Sequence, residues 1–240
     1  MISYSQLVAK TMPPEKKQTA SRCIVGHYLV RPISNIMTIP LISLGTNPTT
    51  ITQISGLFAI FAFIGFLLFP GDLGFWLGWL SIFVWNVLDG VDGNIARYCE
   101  KTSGRGGVWD ATVGWLAMVA FYSGMGFVTY YSYGNSIVDN YFPSFSYIVM
   151  GDLAGMCWIF PRLVMHKAIN TIGKESAKGI QDRQNFGLGK LVFFNVTSIN
   201  GLAAVIFAIC YLCGFMSICT CFYFIISMIV ACGSLFKLLK

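Results

Sequence analysis

Residues 88–97 read LDGVDGNIAR, and a further acidic residue, Asp110, follows thirteen residues after Arg97. The stretch lies inside a run of Phe, Trp, Leu and Val residues that is long enough to enter a lipid bilayer. A carboxylate at the centre of a bilayer costs roughly 2.5 kcal/mol or more, so acidic residues in such a run indicate a functional site. Asp89, Asp92 and Asp110 therefore decide how the rest of the chain is interpreted.

The polar and small residues of this stretch share one face of a predicted helix, because they recur at steps of three, four, seven, eight and eleven residues. The face carries Asn86, Asp89, Asp92, Gly93, Ala96 and Arg97. Gly93 and Ala96 leave room for a bulky group to lie against the helix backbone. The guanidinium of Arg97 offers a planar set of donors to a phosphate. Asp110 must then come from the next helix.

Three clustered carboxylates repel one another unless a cation lies among them. A ligand set of oxygens alone, without His or Cys, suits Mg²⁺ or Mn²⁺. Mg²⁺ commonly combines a few carboxylates with substrate phosphates, so the residues predict a metal–diphosphate site held by Asp89, Asp92 and Asp110. The alternative is a buried ion-pair network of Asp89 and Asp92 with Arg97 and Arg105, but buried ion pairs rarely add net stability.

A fixed spacing connects these residues in the pattern Asp89-x2-Asp92-Gly93-x2-Ala96-Arg97-x8-Gly106-x3-Asp110. This pattern resembles the signature of the CDP-alcohol phosphatidyltransferases, membrane enzymes that displace CMP from a CDP-linked donor with an acceptor hydroxyl. The resemblance implies that the three Asp residues hold the metal and that Gly93, Ala96, Arg97 and Gly106 lie at the nucleotide. It also implies a homodimer. The donor is CDP-diacylglycerol or a CDP-linked small alcohol, and the sequence does not choose between them.

One position departs from the family pattern, which continues with a fourth Asp that serves as general base and second-metal ligand. Position 114 is Gly here. Loss of a general base costs a factor of about 10²–10⁴ in rate. Three interpretations remain open: Asp110 or a metal-bound water acts as the base, a His (His27 or His166) or a group of the acceptor replaces it, or the chain binds nucleotide without turning it over.

Two further places are candidate binding residues. Residues 48–52 read PTTIT and resemble the family's Pro-Asn-x-x-Thr, which would put Thr52 at the nucleotide. The same residues also fit an ordinary helix start with Pro in the first turn and Thr hydroxyls as caps. Arg162, at the end of an apolar run, is the candidate for binding an acceptor or lipid phosphate. A basic residue at a helix end often only keeps its charge at the membrane surface.

The composition is that of a polytopic membrane protein. Of the 240 residues 55% are hydrophobic and 11% are charged, against about 25% charged residues in soluble proteins. Six apolar runs each have nearly the ~20 residues needed to cross a bilayer: 51–69, 75–98, 108–131, 143–165, 191–213 and 215–236. Residues 21–44 mix basic and apolar side chains and predict an interfacial amphipathic helix, which Pro32 and Pro40 are expected to bend or break.

We therefore predict an all-α integral membrane protein with six transmembrane helices preceded by an N-terminal interfacial helix. It forms a single domain, 1–240, in which residues 1–48 make a cytoplasmic arm with the interfacial helix and residues 49–240 make the bundle. No linker or repeat marks a second domain.

The basic residues are distributed asymmetrically. The predicted external segments 70–74, 132–142 and the turn around 214 contain no Lys or Arg, whereas 1–50, 98–107, 166–190 and the C-terminal tail hold nearly all of them. This asymmetry predicts that both termini and the Asp motif face the cytoplasm. It accounts for the net charge of +6 without a nucleic-acid partner, because the basic residues form no aromatic-interleaved patch.

Two other functions compete with the transferase. One is a catalytically impaired relative that binds nucleotide or lipid. The other is a small cation transporter that uses the same Asp cluster. A transporter needs a pathway to both faces, yet the acidic residue predicted within the spans above the motif is Asp152 alone.

Overall fold

The structure is a computed structural model that describes residues 2–13, 20–134, 136–172 and 188–239. The regular elements in these ranges are all helical: α1 (Tyr4–Thr11), α2 (Arg31–Ser43), α3 (Pro48–Leu68), α4 (Asp72–Tyr98), α5 (Gly104–Tyr131), α6 (Phe145–Ile172), α7 (Leu188–Thr197), α8 (Ala204–Leu212) and α9 (Met216–Leu239). Two π-helical turns, Gly26–Val30 and Ile199–Ala203, precede α2 and α8. The predicted all-α class is confirmed.

Five of the described helices are long and apolar enough to cross a membrane: Pro48–Leu68, Asp72–Tyr98, Gly104–Tyr131, Phe145–Thr171 and Met216–Phe236. A sixth span is complete only if α7 and α8 cross together, and the two parts are bent by 63°. The predicted membrane architecture is therefore confirmed with five spans, or six if the bent pair counts as one. Within the predicted cytoplasmic segment 166–190, residues 173–187 lie outside the described ranges.

Helices α3, α4 and α5 form a closely packed unit. A Cβ at Gly65 would lie 3.0 Å from the backbone nitrogen of Gly78, and a Cβ at Gly78 would lie 2.5 Å from the ring of Phe66. Membrane helices associate mainly through such close packing of small residues, since lipid gives no hydrophobic driving force between them. The unit fixes the end of α4, which carries the motif, between the first turns of α3 and α5.

The broken span has a specific local cause. Gly201 has non-helical angles (φ −90°, ψ −129°), and a Cβ there would collide with the carbonyl oxygen of Asn195. Carbonyls at the break accept hydrogen bonds from aromatic side chains of other helices: Tyr122 to Thr197 (3.0 Å), Tyr223 to Val196 (2.8 Å) and Trp79 to Ala204 (2.8 Å). Irregular backbone at membrane depth is tolerated when other protein groups form hydrogen bonds with its polar atoms, as they do here.

The predicted interfacial helix at 21–44 packs directly on α4. Ser34 is buried and donates to the carbonyl oxygen of Val87 (2.7 Å), and the amide of Asn94 donates to Asn35 (2.8 Å). Some of the polar side chains in this segment are thus buried against α4. Apolar residues such as Ile36 and Met37 are exposed instead. The prolines do not end the helix: one lies in its first turn, where the missing N–H costs nothing, and the other lies inside it.

At the opposite end of the bundle, the buried carboxylate of Asp139 organises the segment between α5 and α6. It accepts hydrogen bonds from the hydroxyls of Tyr147 (2.7 Å) and Ser217 (2.6 Å) and from the backbone nitrogens of Gly134 (2.8 Å) and Ser136 (3.0 Å). Burial opposes ionisation of this group, but the four donors together hold its pKa below the usual range.

We expect Asp139→Asn to lower the free energy of unfolding by about 1–3 kcal/mol at neutral pH, because one buried donor loses its acceptor. A depressed pKa stabilises the folded state above the unfolded pKa of about 3.9 and loses that contribution as pH falls through the folded value. The difference from the parent should therefore shrink at acid pH. Thermal unfolding in detergent across pH measures it, with the exposed Asp72→Asn as control. A difference independent of pH would contradict this account.

Candidate functional site

A cavity of about 420 Å³ lies at the end of α4 that carries the Asp motif. Its walls come from the segment before α2, from α2 itself, from the first turns of α3 and α5, from α4 and from the broken span. Eight of the predicted site residues line it together: Thr52, Asp89, Asp92, Gly93, Ala96, Arg97, Gly106 and Asp110. Residues far apart in the sequence thus meet at one place.

The three carboxylates differ in their surroundings. Asp92 is buried and accepts a hydrogen bond from the hydroxyl of Thr52 (2.5 Å). Asp89 is half-buried and lies within hydrogen-bonding distance of Asp110, which is exposed at the cavity surface. Asp89 is also close enough to Asp92 for charge repulsion. The arrangement concentrates negative charge in a partly buried space.

No group of three or more His, Cys, Asp or Glu side chains in the described ranges is arranged to hold a metal ion. Asp92 accepts the hydrogen bond of Thr52, and Asp89 lies beside Asp110. The donor set nevertheless fits a divalent cation chemically. It consists of oxygens alone, and the repulsion among them would be relieved by a positive ion.

Arg97 lies in the same cavity, and its packing accounts for the glycine one helical turn earlier, Gly93. A Cβ at Gly93 would lie 2.9 Å from Nη2 and 3.0 Å from Nη1 of Arg97, so the guanidinium packs on the glycine. Nη2 donates to the side-chain oxygen of Asn94 (3.1 Å), while Nε is buried and has no hydrogen-bond partner among the described residues. The group of Arg97 is near enough to Asp89, Asp92 and Asp110 to offset part of their charge.

Two helix N-termini open into the cavity. Pro48 and Thr49 belong to the first turn of α3, and Ser103 and Gly106 to the start of α5. A Cβ at Gly106 would lie 3.8 Å from the hydroxyl oxygen of Thr49, so the two termini approach each other. Helix N-termini favour anions through their free N–H groups and their dipoles. They add positive potential beside the carboxylates.

The family model that matches the chain describes CDP-alcohol phosphatidyltransferase and covers residues 45–138. This part of the chain is similar to the CDP-alcohol phosphatidyltransferase family. The match includes α3, α4 and α5 and therefore every residue of the motif, which confirms the resemblance read from the spacing. No curated protein matches the chain. A match to this family implies transfer chemistry with a CDP-linked donor and a hydroxyl acceptor.

Some residues predicted for the transferase site lie elsewhere. Arg162 packs against the sulphur of Met118 and lies 5.8 Å from the ring centroid of Trp158, outside the described lining of the cavity. The sequence predicts the depth of Arg162 in the membrane but not the helix face that it occupies. The ring of His166 lies 5.7 Å from that of Trp115.

Gly114 is half-buried on α5, and no described atom lies within 4 Å of a Cβ built there. It does not belong to the described lining of the transferase cavity, although Asp110, one turn earlier, does. The position that holds an Asp in the family pattern is therefore open space next to the site. An Asp side chain can be added there without displacing a neighbour.

Several cavity residues were not predicted as site residues. The N-terminal segment contributes Ala20, Cys23, Gly26, Val30, Arg31 and Ser34, and the broken span contributes Asn200. All but one of the steps between the members of the first group are three or four residues, a spacing that places most of them on one helical face. That spacing was a usable signal, but it could not show that the face turns toward the motif.

Proposed function

We propose that the protein transfers a phosphatidyl or phospho-alcohol group from a CDP-linked donor to a hydroxyl acceptor, with release of CMP and with Mg²⁺ or Mn²⁺ as cofactor. The observation that carries this proposal is the single cavity in which three carboxylates, Arg97 and two helix N-termini meet. A diphosphate needs positive charge around it, and a divalent cation needs the carboxylates. The family match supports the same chemistry.

Each of the cavity residues has a proposed role in the transfer. Asp89, Asp92 and Asp110 would hold the cation, which supplies charge neutralisation at the diphosphate. Thr52 fixes the orientation of Asp92 through its hydrogen bond. Arg97 and the N-termini of α3 and α5 bind phosphate oxygens. Asp110 is exposed at the cavity surface and is the best-placed described carboxylate to accept the proton of the acceptor hydroxyl. Phosphoryl transfer depends mostly on such positioning and charge neutralisation.

A second candidate function is nucleotide or lipid binding without turnover, and Gly114 is the observation that favours it. The cation-transporter alternative gains no support from the described core. Between the two ends of the bundle, the space inside α3, α4, α5 and α8 is filled by fully buried rings, including Phe66, Phe75, Phe121 and Phe207. A route for ions would have to cross this packed apolar layer.

We also propose a homodimer that uses the outer face of α6. In the apolar part of this helix 22% of the residues are buried, and Asp152 is exposed there. A carboxylate facing lipid is costly, so a second copy of the chain that covers it would be favoured.

The cavity, both termini and the segment between α4 and α5 are proposed to face the cytoplasm. The basis is the placement of Lys and Arg. In a background without native cysteines, Ile137→Cys should react with an impermeant thiol reagent in intact cells, whereas Arg105→Cys should react only after the cells are opened. The two positions are exposed and lie at opposite ends of α5. The reverse labelling would overturn the proposed orientation.

The function is tested by CMP release from purified protein in detergent. The protein is incubated with Mg²⁺ or Mn²⁺ and either CDP-diacylglycerol or CDP-linked small alcohols, each with a set of hydroxyl acceptors. We expect CMP with one donor class, dependent on acceptor and metal. If no combination gives CMP while CDP still binds, the chain is a binding protein rather than a transferase.

A further inference from the structure

A network of hydrogen bonds connects the N-terminal helices to Arg97 in the cavity. Nη2 of Arg97 donates to the side-chain oxygen of Asn94 (3.1 Å), whose amide nitrogen donates to the side-chain oxygen of Asn35 (2.8 Å). The amide nitrogen of Asn35 donates in turn to the hydroxyl oxygen of Tyr4 (3.3 Å). The network therefore joins α4, α2 and α1 at the end of the bundle that holds the cavity.

The direction of each bond in this network follows from Arg97. A guanidinium only donates hydrogen bonds, so the side-chain oxygen of Asn94 must face Arg97 and its amide nitrogen must face α2. The two hydrogens of that nitrogen have two acceptors, Asn35 at 2.8 Å and the hydroxyl of Thr38 at 3.3 Å. Thr38 donates its own hydrogen to the carbonyl oxygen of Ser34 (2.6 Å) and so accepts from Asn94. These partners fix the orientation of the Asn94 amide.

The two asparagines are buried, whereas the outer end of the network is not. Asn94 is 3% exposed and Asn35 is 7% exposed, while Tyr4 is 45% exposed. A buried amide keeps its hydrogen bonds because each unsatisfied donor or acceptor costs free energy. Fully satisfied polar networks of this kind are rigid. Asn94 therefore offers Arg97 an acceptor that is fixed in place.

Part of the guanidinium is left for a ligand. Nε of Arg97 is buried and has no hydrogen-bond partner in the part of the chain that the structure describes. A buried donor without a partner is costly, and a phosphate oxygen would satisfy it. The same cavity contains Asp89, Asp92 and Asp110, which attract a guanidinium. The bond to Asn94 holds Arg97 against this attraction.

Neither asparagine is specified by the family pattern. The pattern leaves position 94 open, and Asn35 lies outside the matched residues 45–138. We propose that Asn94 and Asn35 are positioning residues, which hold the guanidinium of Arg97 where it binds the diphosphate of the donor. Asn94 acts on Arg97 directly, and Asn35 acts through Asn94. The identity of the ligand rests on the proposed function, whereas the coupling of the three residues does not.

Inorganic pyrophosphate is the probe for this role, because it offers a diphosphate without the nucleoside. It is titrated by calorimetry into the full chain with Mg²⁺. Asn94→Leu removes the acceptor in a side chain of similar size and should weaken binding by about tenfold, the scale of a hydrogen bond to a charged group. Asn35→Leu should weaken it by about threefold, as for a bond between neutral groups. Tyr4→Phe, at the exposed end, should change it by less than about twofold.

A double-mutant cycle separates positioning from general destabilisation. In an Arg97→Met background, Asn94→Leu and Asn35→Leu should lose their effects on pyrophosphate affinity, because both act only through the missing guanidinium. Thr129→Val is the matched control. It breaks a buried hydrogen bond between helices, to Thr220 (2.6 Å) at the opposite end of the bundle. It should lower the melting temperature and leave the pyrophosphate affinity unchanged.

Unchanged affinity in Asn94→Leu would overturn the proposal, and so would equal losses with and without Arg97. If Asn94→Leu does not fold, the same cycle with Asn35→Leu decides. Binding of pyrophosphate without binding of CDP would refute the proposed function, and the cycle would still decide the positioning role. If the parent binds neither ligand, both proposals are overturned, because Arg97 then holds no phosphate.

Discussion

Changing Asp89, Asp92 or Asp110 singly to Asn is expected to lower the metal-dependent affinity for CDP by at least about 100-fold. Each change removes one anionic oxygen donor, and even a residue that only orients a metal ligand contributes about 10–100-fold to metal affinity. The three carboxylates line one cavity, and Asp89 lies beside Asp110. Calorimetric titration of CDP into each purified variant with Mg²⁺ or Mn²⁺ measures the loss.

These variants should remain folded, because removal of one of three neighbouring negative charges relieves repulsion. Asn at position 92 still offers an oxygen to the hydroxyl of Thr52. Asp152→Asn is the matched control, since Asp152 is exposed on α6 and lies outside the described lining of the cavity. It should bind CDP as the parent does. Undiminished metal-dependent binding by all three cavity variants would contradict the metal assignment.

Gly114→Asp is expected to raise the rate of CMP release with a simple alcohol acceptor by at least about tenfold. Position 114 lies one helical turn beyond Asp110, about 6 Å along the same face of α5. A Cβ there meets no described atom within 4 Å, so the new side chain has room. A carboxylate in this place can take the proton of the acceptor, and a general base is worth about 10²–10⁴ in rate.

The control is Gly114→Asn, which fills the same space without supplying a base. A rise with Asp but not with Asn identifies the missing group as the base. A fall with both would mean that the space belongs to the acceptor and that the site works without the fourth Asp. Rates equal to the parent's in both variants, with donor and acceptor saturating, would mean that position 114 does not face the chemistry.

The membrane helices and the motif could be predicted because each depends on local sequence. An apolar run of about 20 residues has the length that a helix needs to cross a bilayer. The predicted runs 51–69 and 108–131 correspond to the helices Pro48–Leu68 and Gly104–Tyr131. The motif residues had to share a face because helical spacing fixes that geometry. Thr52 was predicted as a nucleotide-binding residue from the short resemblance at residues 48–52. The structure adds its hydrogen bond to Asp92.

The N-terminal side of the cavity could not be predicted, because it depends on how distant segments pack. Residues 21–44 have the composition of a surface helix, and the contacts of Ser34 and Asn35 with α4 show that one face is internal. The break before α8 is caused by Gly201 and by aromatic donors on three other helices, which no local pattern reveals. For Arg162 the sequence predicted the depth in the membrane but not the contacts. Its side chain contacts Met118 and Trp158 and lies outside the described lining of the cavity.

The central claim is that the cavity at the end of α4 binds a CDP group together with a divalent cation. Titration of CDP into the purified parent protein tests it most directly, because binding requires neither an acceptor nor a base at position 114. We predict saturable binding at one site per chain in Mg²⁺ or Mn²⁺ that is lost when the metal is removed with a chelator. Absence of CDP binding in the presence of either metal, or binding of equal strength without metal, would contradict the account.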